Sequence, residues 1–226
     1  MVTNNANAPD RRIFAIGDIH GRLDSLTALL GRLDALDPTA RLIFMGDYLD
    51  RGPQASQVID CLLSLRLSRP DAVFLMGNHE AAAARYAKSK DPEDLRLLRS
   101  MGFQATLDSY GVSPGATGLD FMPGEHREFL RGLHRWHREP GYVFFHAPLW
   151  RRADPEVASP RALEDMLFNR TIDRDGWATG GETLVFGHVP FETPLAAPGL
   201  LGIDTGAGSG RLLTAVELPE VRFHHA

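Results

Sequence analysis

The chain has 226 residues, enough for one sizeable α/β domain, and its composition is that of an ordinary soluble globular protein. A net charge of −5 provides no basic field to gather nucleic acid or an anionic membrane surface. The single cysteine, Cys61, excludes an intrachain disulfide, and no apolar run reaches transmembrane length.

Residues 1–10 are polar and lack the apolar centre of a signal peptide, so they read as a flexible N-terminus and the expected location is cytoplasmic. Ile13 to Ile16 is a short apolar run, read as a buried strand, and it ends in Gly17-Asp18-Ile19-His20-Gly21. Leu23, Leu26, Leu30 and Leu33 follow at helical spacing. Leu42 to Met45 is the second strand. It runs into Gly46-Asp47-Tyr48-Leu49-Asp50-Arg51-Gly52, and Pro53 then opens a helical pattern over Val58 to Leu67. Two carboxylates and a guanidinium thus share one strand-to-helix turn, at the sheet edge where α/β proteins bind ligands. Alone, that turn reads as a capped loop with an ion pair. Ala72 to Met76 is the third strand, ending in Gly77-Asn78-His79-Glu80.

Residues 81–140 carry nine Lys/Arg against eight Asp/Glu, which gives no sign of a nucleic-acid groove. Asp91-Pro92-Glu93 marks a helix start, 113–118 a loop, and Glu125 to Leu133 a helix. Trp136 to Glu139 and Tyr142 to Phe145 flank Pro140-Gly141 as a hairpin, and the latter strand ends at His146. Thr183 to Phe186 ends at Gly187-His188, Leu200 to Ile203 ends at Asp204-Thr205-Gly206, and Leu212 to Val216 is the final strand. The expectation is a single domain over 11–226, with a cap-like insert around 85–140.

Five strand ends therefore carry metal-ligand or proton-transfer residues: Asp18 and His20, Asp47, Asn78 and His79, His146, and His188. Oxygen ligands mixed with imidazole suit manganese, iron or zinc. Aspartate can bridge two ions, as two-metal phosphoryl chemistry requires. With His79 set aside, the other six as ligands, their histidines neutral, hold only two negative charges against four positive ones from two divalent ions. The loaded site would stay cationic and favour an anionic substrate such as a phosphate ester.

The ordered series GDIHG, GDYLDRG, GNHE, FFHA and FGHVP resembles the metallophosphoesterase signature. It most resembles the PPP family of Ser/Thr phosphoprotein phosphatases, in its small bacterial and phage members. The resemblance runs from about Ile13 to Val216. It implies an α/β fold, a sandwich of mixed β-sheets flanked by helices. It implies two divalent ions, manganese ahead of iron or zinc. Asp18, His20 and Asp47 would hold one ion; Asp47, Asn78, His146 and His188 would hold the other. Asp50 would orient the catalytic His79, and Arg51 and Arg170 would bind the substrate phosphate. The implied activity is a phosphomonoesterase, in the first instance a serine/threonine protein phosphatase, using metal-activated hydroxide attack on phosphorus. The alternatives are a dinucleoside-polyphosphate hydrolase and a pseudoenzyme that only binds. Partners would be a phosphorylated protein or small phosphoester, without nucleic acid or membrane. His146-Ala147-Pro148 departs from the family, which carries glycine there. Proline fixes φ and removes an N–H, so the expected change falls on the substrate groove.

Other residues read as structural. Asp204 is expected to cap a loop beside the site. His126, His134, His137, His224 and His225 are expected on the surface. Trp136, Trp150 and Trp177 are expected in packing, and Cys61 as a buried inert thiol.

Overall fold

The computed structural model describes residues 9, 11–112, 118–150, 153–173, 177 and 181–226. The loop expected at 113–118 and the N-terminal segment expected to be flexible lie almost wholly outside these residues.

Strands β1 (Ile13–Ile16), β2 (Arg41–Phe44) and β3 (Val73–Phe74) alternate with α1 (Leu23–Leu36), α2 (Ala55–Ser68) and α3 (Asn78–Ser89). Parallel strands need such crossovers, and β1–β2 and β2–β3 are both parallel. Next come α4 (Pro92–Met101), α5 (Phe103–Ser109) and α6 (Gly124–Arg131), then β4 (Trp136–Glu139) and β5 (Tyr142–Phe145), paired antiparallel as the expected hairpin. The chain continues through α7 (Pro160–Met166), β6 (Thr183–Phe186), β7 (Leu195–Ala197), β8 (Leu200–Gly202), β9 (Thr214–Leu218) and β10 (Arg222–His225). The α4 start is as expected, with Asp91 accepting the Glu93 N–H at 2.8 Å. The last expected strand shifts to Thr214–Leu218, and β7 and β10 are additional edge strands. Both additions are short and partly exposed, so they carry little apolar signal.

The strands form two mixed sheets, ordered β10-β9-β1-β2-β3 and β4-β5-β6-β8-β7. Strand alternation sends Ile13, Ala15 and Ile43 to one face and Phe14, Ile16 and Phe44 to the other. The first set packs with Phe144, Val185 and Leu201 between the sheets. The second packs under α1 to α6. Across the second sheet, Val143, Phe145, Leu184 and Phe186 meet Leu163 and Met166 of α7 and Trp177. The expected sandwich flanked by helices is therefore the fold. Each central strand is buried on both faces, as helix-covered parallel strands are. No helix among the described residues is long and apolar enough to cross a membrane.

His126 corrects one expectation. It is buried rather than on the surface, with its Nδ1 2.7 Å from the Tyr110 hydroxyl and its Nε2 2.9 Å from Asp60 Oδ1. It lies on the same helix as the buried Phe129 and Leu130, and its two polar partners make the burial tolerable. Trp177 lies in the core, while Trp150 is 46 % exposed. Cys61 is only half-buried, and burial raises its thiol pKa, consistent with low reactivity.

Candidate metal centre

The parallel strands of both sheets point their carboxyl ends at one edge. The two edges are joined there by hydrogen bonds: His146 Nδ1–H donates to Met45 O at 2.8 Å, and His188 N–H donates to Asp18 Oδ2 at 2.9 Å. Asp18, His20, Asp47, Asn78, His79, His146 and His188 thus meet in one buried cluster.

The backbone marks the site independently. Among the described residues, seven non-glycine positions have positive φ, and five of them are His20, Asp47, Asp50, Arg51 and His188. Left-handed backbone disfavours side chains by roughly 1–2 kcal/mol per residue, least for Asp and Asn. Such strain persists where the surroundings impose it, typically at functional sites. Two glycines make the room: a Cβ at Gly77 would collide with the Asp47 carboxylate, and one at Gly187 with that of Asp18.

Glu80 holds the strained turn. Its carboxylate accepts the N–H groups of Asp47, Tyr48, Leu49 and Gly77 at 2.9–3.1 Å, and it is 2 % exposed. Sequence reasoning set no weight on this residue. Its spacing was a usable signal, since a Glu three residues into a helix can bond back to the N-cap N–H. The bonds to Asp47, Tyr48 and Leu49 had no local signal.

The donor geometry fits cations. His20 Nδ1–H donates to Leu49 O at 2.9 Å, which leaves a lone pair on Nε2 facing Asp47 Oδ2 at 3.5 Å. His146 is committed likewise through Nδ1, and its Nε2 faces Asn78 Oδ1 at 3.0 Å and Asp47 Oδ1 at 3.4 Å. Lone pairs facing oxygens repel unless a positive charge lies between them. Asp18 Oδ1 and His188 Nε2 are buried with no hydrogen-bond partner. Two groups, His20-Asp47-His79 and Asp47-His146-His188, each bring ligand atoms within 4.8 Å of one another. They share Asp47 and fit a binuclear centre.

Protonation sorts the histidines. Burial lowers the pKa of His20 and of His188 to about 3, and it lowers that of His146 too, so all three are neutral donors. His79 goes the other way. Burial opposes its charge, but Asp47 and the hydrogen-bonded Asp50 outweigh burial and raise its pKa. His79 Nδ1–H donates to Asp50 Oδ2 at 2.6 Å, while Nε2 lies 3.8 Å from Asp47 Oδ2 and 3.3 Å from Arg51 Nη2. Proximity would admit His79 to the first group. Its charge preference instead suits a proton donor. Burial, Asp204 and Asp47 all raise the Asp18 pKa, the mark of carboxylates crowded without a counter-charge. Asp47 is held well below the usual range; burial opposes this, but His146, His79 and His20 outweigh it.

Arg51 is exposed above the cluster. Arg170 is exposed too, and its charge adds to the forces that keep His188 neutral. Pro148 O accepts the Asn169 Nδ2–H at 2.7 Å, which ties the loop after His146 to the segment that presents Arg170. Asp204 Oδ1 accepts the Gly206 N–H at 2.8 Å, the loop-capping role expected of it.

Fold and site together define a metal-dependent phosphoester hydrolase. The family is that of the calcineurin-like phosphoesterases: residues 11–190 match its model, and the chain belongs to it. The chain is 28% identical to a bis(5'-nucleosyl)-tetraphosphatase PrpE [asymmetrical] of Geobacillus sp. (strain WCH70), over 93% of this chain and 91% of that protein. It is 29% identical to the serine/threonine-protein phosphatase PP2A-like PPG1 of Candida albicans, over 77% of this chain but 46% of that protein. Among solved structures, that of a candidate diadenosine tetraphosphatase superposes with a TM-score of 0.70 at 22% identity, over 98% of this chain and 94% of the other, a likeness of fold. The resemblance to the PPP phosphatases is thereby established, and so is hydrolase chemistry on phosphoesters.

Proposed function

We propose that the protein hydrolyses a bis(5'-nucleosyl)-polyphosphate of the diadenosine tetraphosphate type. The observation that carries this reading is the end-to-end similarity to PrpE, against a match to under half the length of PPG1. The reading ranks the dinucleotide above the phosphoprotein expected first from the motifs. The phosphoprotein remains the second reading, favoured by the PPG1 similarity over 77% of this chain.

Asp18, His20 and Asp47 would hold one divalent ion, and Asp47, Asn78, His146 and His188 the other, with manganese the first choice. Such ions neutralise phosphoryl charge and ease deprotonation of an attacking water. Arg51, with Arg170, holds phosphate oxygens through charge-assisted hydrogen bonds. His79 gives its Nε2 proton to the departing oxygen, and Asp50 keeps its ring oriented. In this reading residues 11–226 act as one cytoplasmic domain, with 85–140 as an insert bearing on the site.

A panel of diadenosine tetraphosphate, a phosphoserine peptide and p-nitrophenyl phosphate, run with manganese, iron, zinc and magnesium, tests the assignment. The expected kcat/KM is highest for the dinucleotide. A higher value for the phosphopeptide would reverse the ranking, and no turnover with any metal would leave a binding protein.

A further inference from the structure

Thr106 lies on α5, outside every motif segment, and is fully buried. Its hydroxyl donates to Asp50 Oδ1 at 2.6 Å and accepts the Asp50 N–H at 2.9 Å. Asp50 Oδ2 accepts the His79 Nδ1–H at 2.6 Å. Asp50 therefore commits one carboxylate oxygen to each neighbour. A helical threonine commonly turns its hydroxyl back to the carbonyl four residues earlier. Here that carbonyl, Gly102 O, accepts the Arg51 N–H at 3.3 Å, and the Thr106 hydroxyl is given wholly to Asp50. The first turn of α5 thus grips two consecutive left-handed residues, Asp50 at φ 68 and Arg51 at φ 65. The carboxylate of Asp50 can rotate about its terminal bond, since such torsions are broad. A bond to one oxygen alone would not hold its plane.

We propose that Thr106 is a positioning residue for the Asp50–His79 pair. Its hydroxyl fixes the plane of the Asp50 carboxylate, so that Oδ2 keeps the His79 Nδ1–H and Nε2 stays turned toward the substrate. The inference rests on the reading of His79 as proton donor. A threonine that merely fills space would tolerate valine, which keeps the shape, and would suffer from serine, which drops the methyl group. A positioning hydroxyl does the reverse.

The test compares wild type, Thr106→Val, Thr106→Ser and His79→Asn, each loaded with manganese to matched content. Phenyl phosphate releases a phenol of pKa about 10, comparable to tyrosine, and needs a delivered proton; p-nitrophenyl phosphate releases a much more acidic phenol. A positioned general acid is typically worth about 10²–10⁴ in rate, so misorienting it should cost about 10-fold more on the first substrate than on the second. Thr106→Val should show that asymmetry, and Thr106→Ser should stay within about twofold of wild type on both. In proton NMR of the same variants loaded instead with diamagnetic zinc, the low-field His79 Nδ1–H resonance, identified by its loss in His79→Asn, should move in the valine variant and hold in the serine variant. Should valine not fold, Thr106→Ala against Thr106→Ser isolates the hydroxyl.

Equal losses on both substrates with an unmoved resonance would overturn the inference, as would serine falling as far as valine. Asymmetry in His79→Asn without asymmetry in Thr106→Val would defeat Thr106 alone. No asymmetry even in His79→Asn would defeat the proton-donor reading, and the resonance would then decide whether Thr106 positions the ring.

Discussion

The two sheet edges build the site in different ways. The first edge delivers Asp18, His20, Asp47, Asp50 and His79 on turns whose backbone is held from below. Glu80 takes four of their N–H groups, and Thr106 and Gly102 take those of Asp50 and Arg51. The second edge delivers His146 and His188 directly from strand ends, and His188 Nε2 has no partner. Charge divides in the same way. The first edge brings the carboxylates of Asp18, Asp47 and Asp50 together with the neutral His20, and the second brings His146 and His188 as neutral imidazoles. The placement of those imidazoles depends on how the sheets pack. Asp47 is the group both edges share, since it lies within 3.4–3.8 Å of histidines from each. A rigid carboxylate set against donors that carry no charge of their own fits a binuclear centre.

The sharpest way to break this division is Asp47→Asn. One neutral amide cannot replace a shared carboxylate, so metal content by elemental analysis should fall well below wild type. Activity should fall by more than the ~10–100-fold typical of losing an outer-shell partner. Full occupancy with normal turnover would show that the two edges do not meet at this residue.

The arginines test the comparison at the substrate. Arg51 belongs to the first edge and is gripped by α5, whereas Arg170 stands on a segment tied to the second. Arg51→Ala should weaken inhibition by free phosphate by about 1.5–3 kcal/mol, the worth of a hydrogen bond to a charged group, with both metals retained. Arg170→Ala should weaken it less. If phosphate inhibits Arg170→Ala as tightly as wild type, Arg170 is a surface residue and the clamp is one-sided.

The smallest effect concerns protons on the second edge. The pKa of His188 falls from 6.5 to about 3 on folding. Between those values the unfolded chain binds a proton there and the folded one does not, so ν_U exceeds ν_N and stability is lost as pH falls below 6.5. For metal-stripped protein at pH 5.5 the loss is about 1.4 kcal/mol from this residue. His188→Asn lacks it, so lowering the pH from 8 to 5.5 should lower the melting temperature of wild type more than that of the variant. Parallel curves would show that His188 is not held neutral.

What the sequence shows and what only the structure shows divide by distance along the chain. The first-edge motifs were legible because their chemistry is local. A Gly-Asp or Gly-Asn-His step directly after an apolar run places a ligand at a strand end, whatever surrounds it. His146 and His188 were legible by the same rule, though each rests on a single side chain, and only their order after the compact motifs gave them weight. His126 misled, because exposure is a property of packing: histidine is polar, and the two partners that permit its burial lie 16 and 66 residues away in the chain. Glu80 was half visible, its bond to Gly77 following from helix-start spacing. Thr106 was invisible, since a lone threonine in a seven-residue helix carries no periodic or motif signal. By itself the sequence determined the alternation of strand and helix, the residue types at the strand ends and the phosphoester chemistry, all of which depend on residues close along the chain. Tertiary structure alone decided that five separated strand ends meet around one carboxylate, that three histidines are neutral while one favours its charge, and which distant side chains hold the strained turn. Those outcomes depend on burial, and burial exists only once the two sheets have closed on each other.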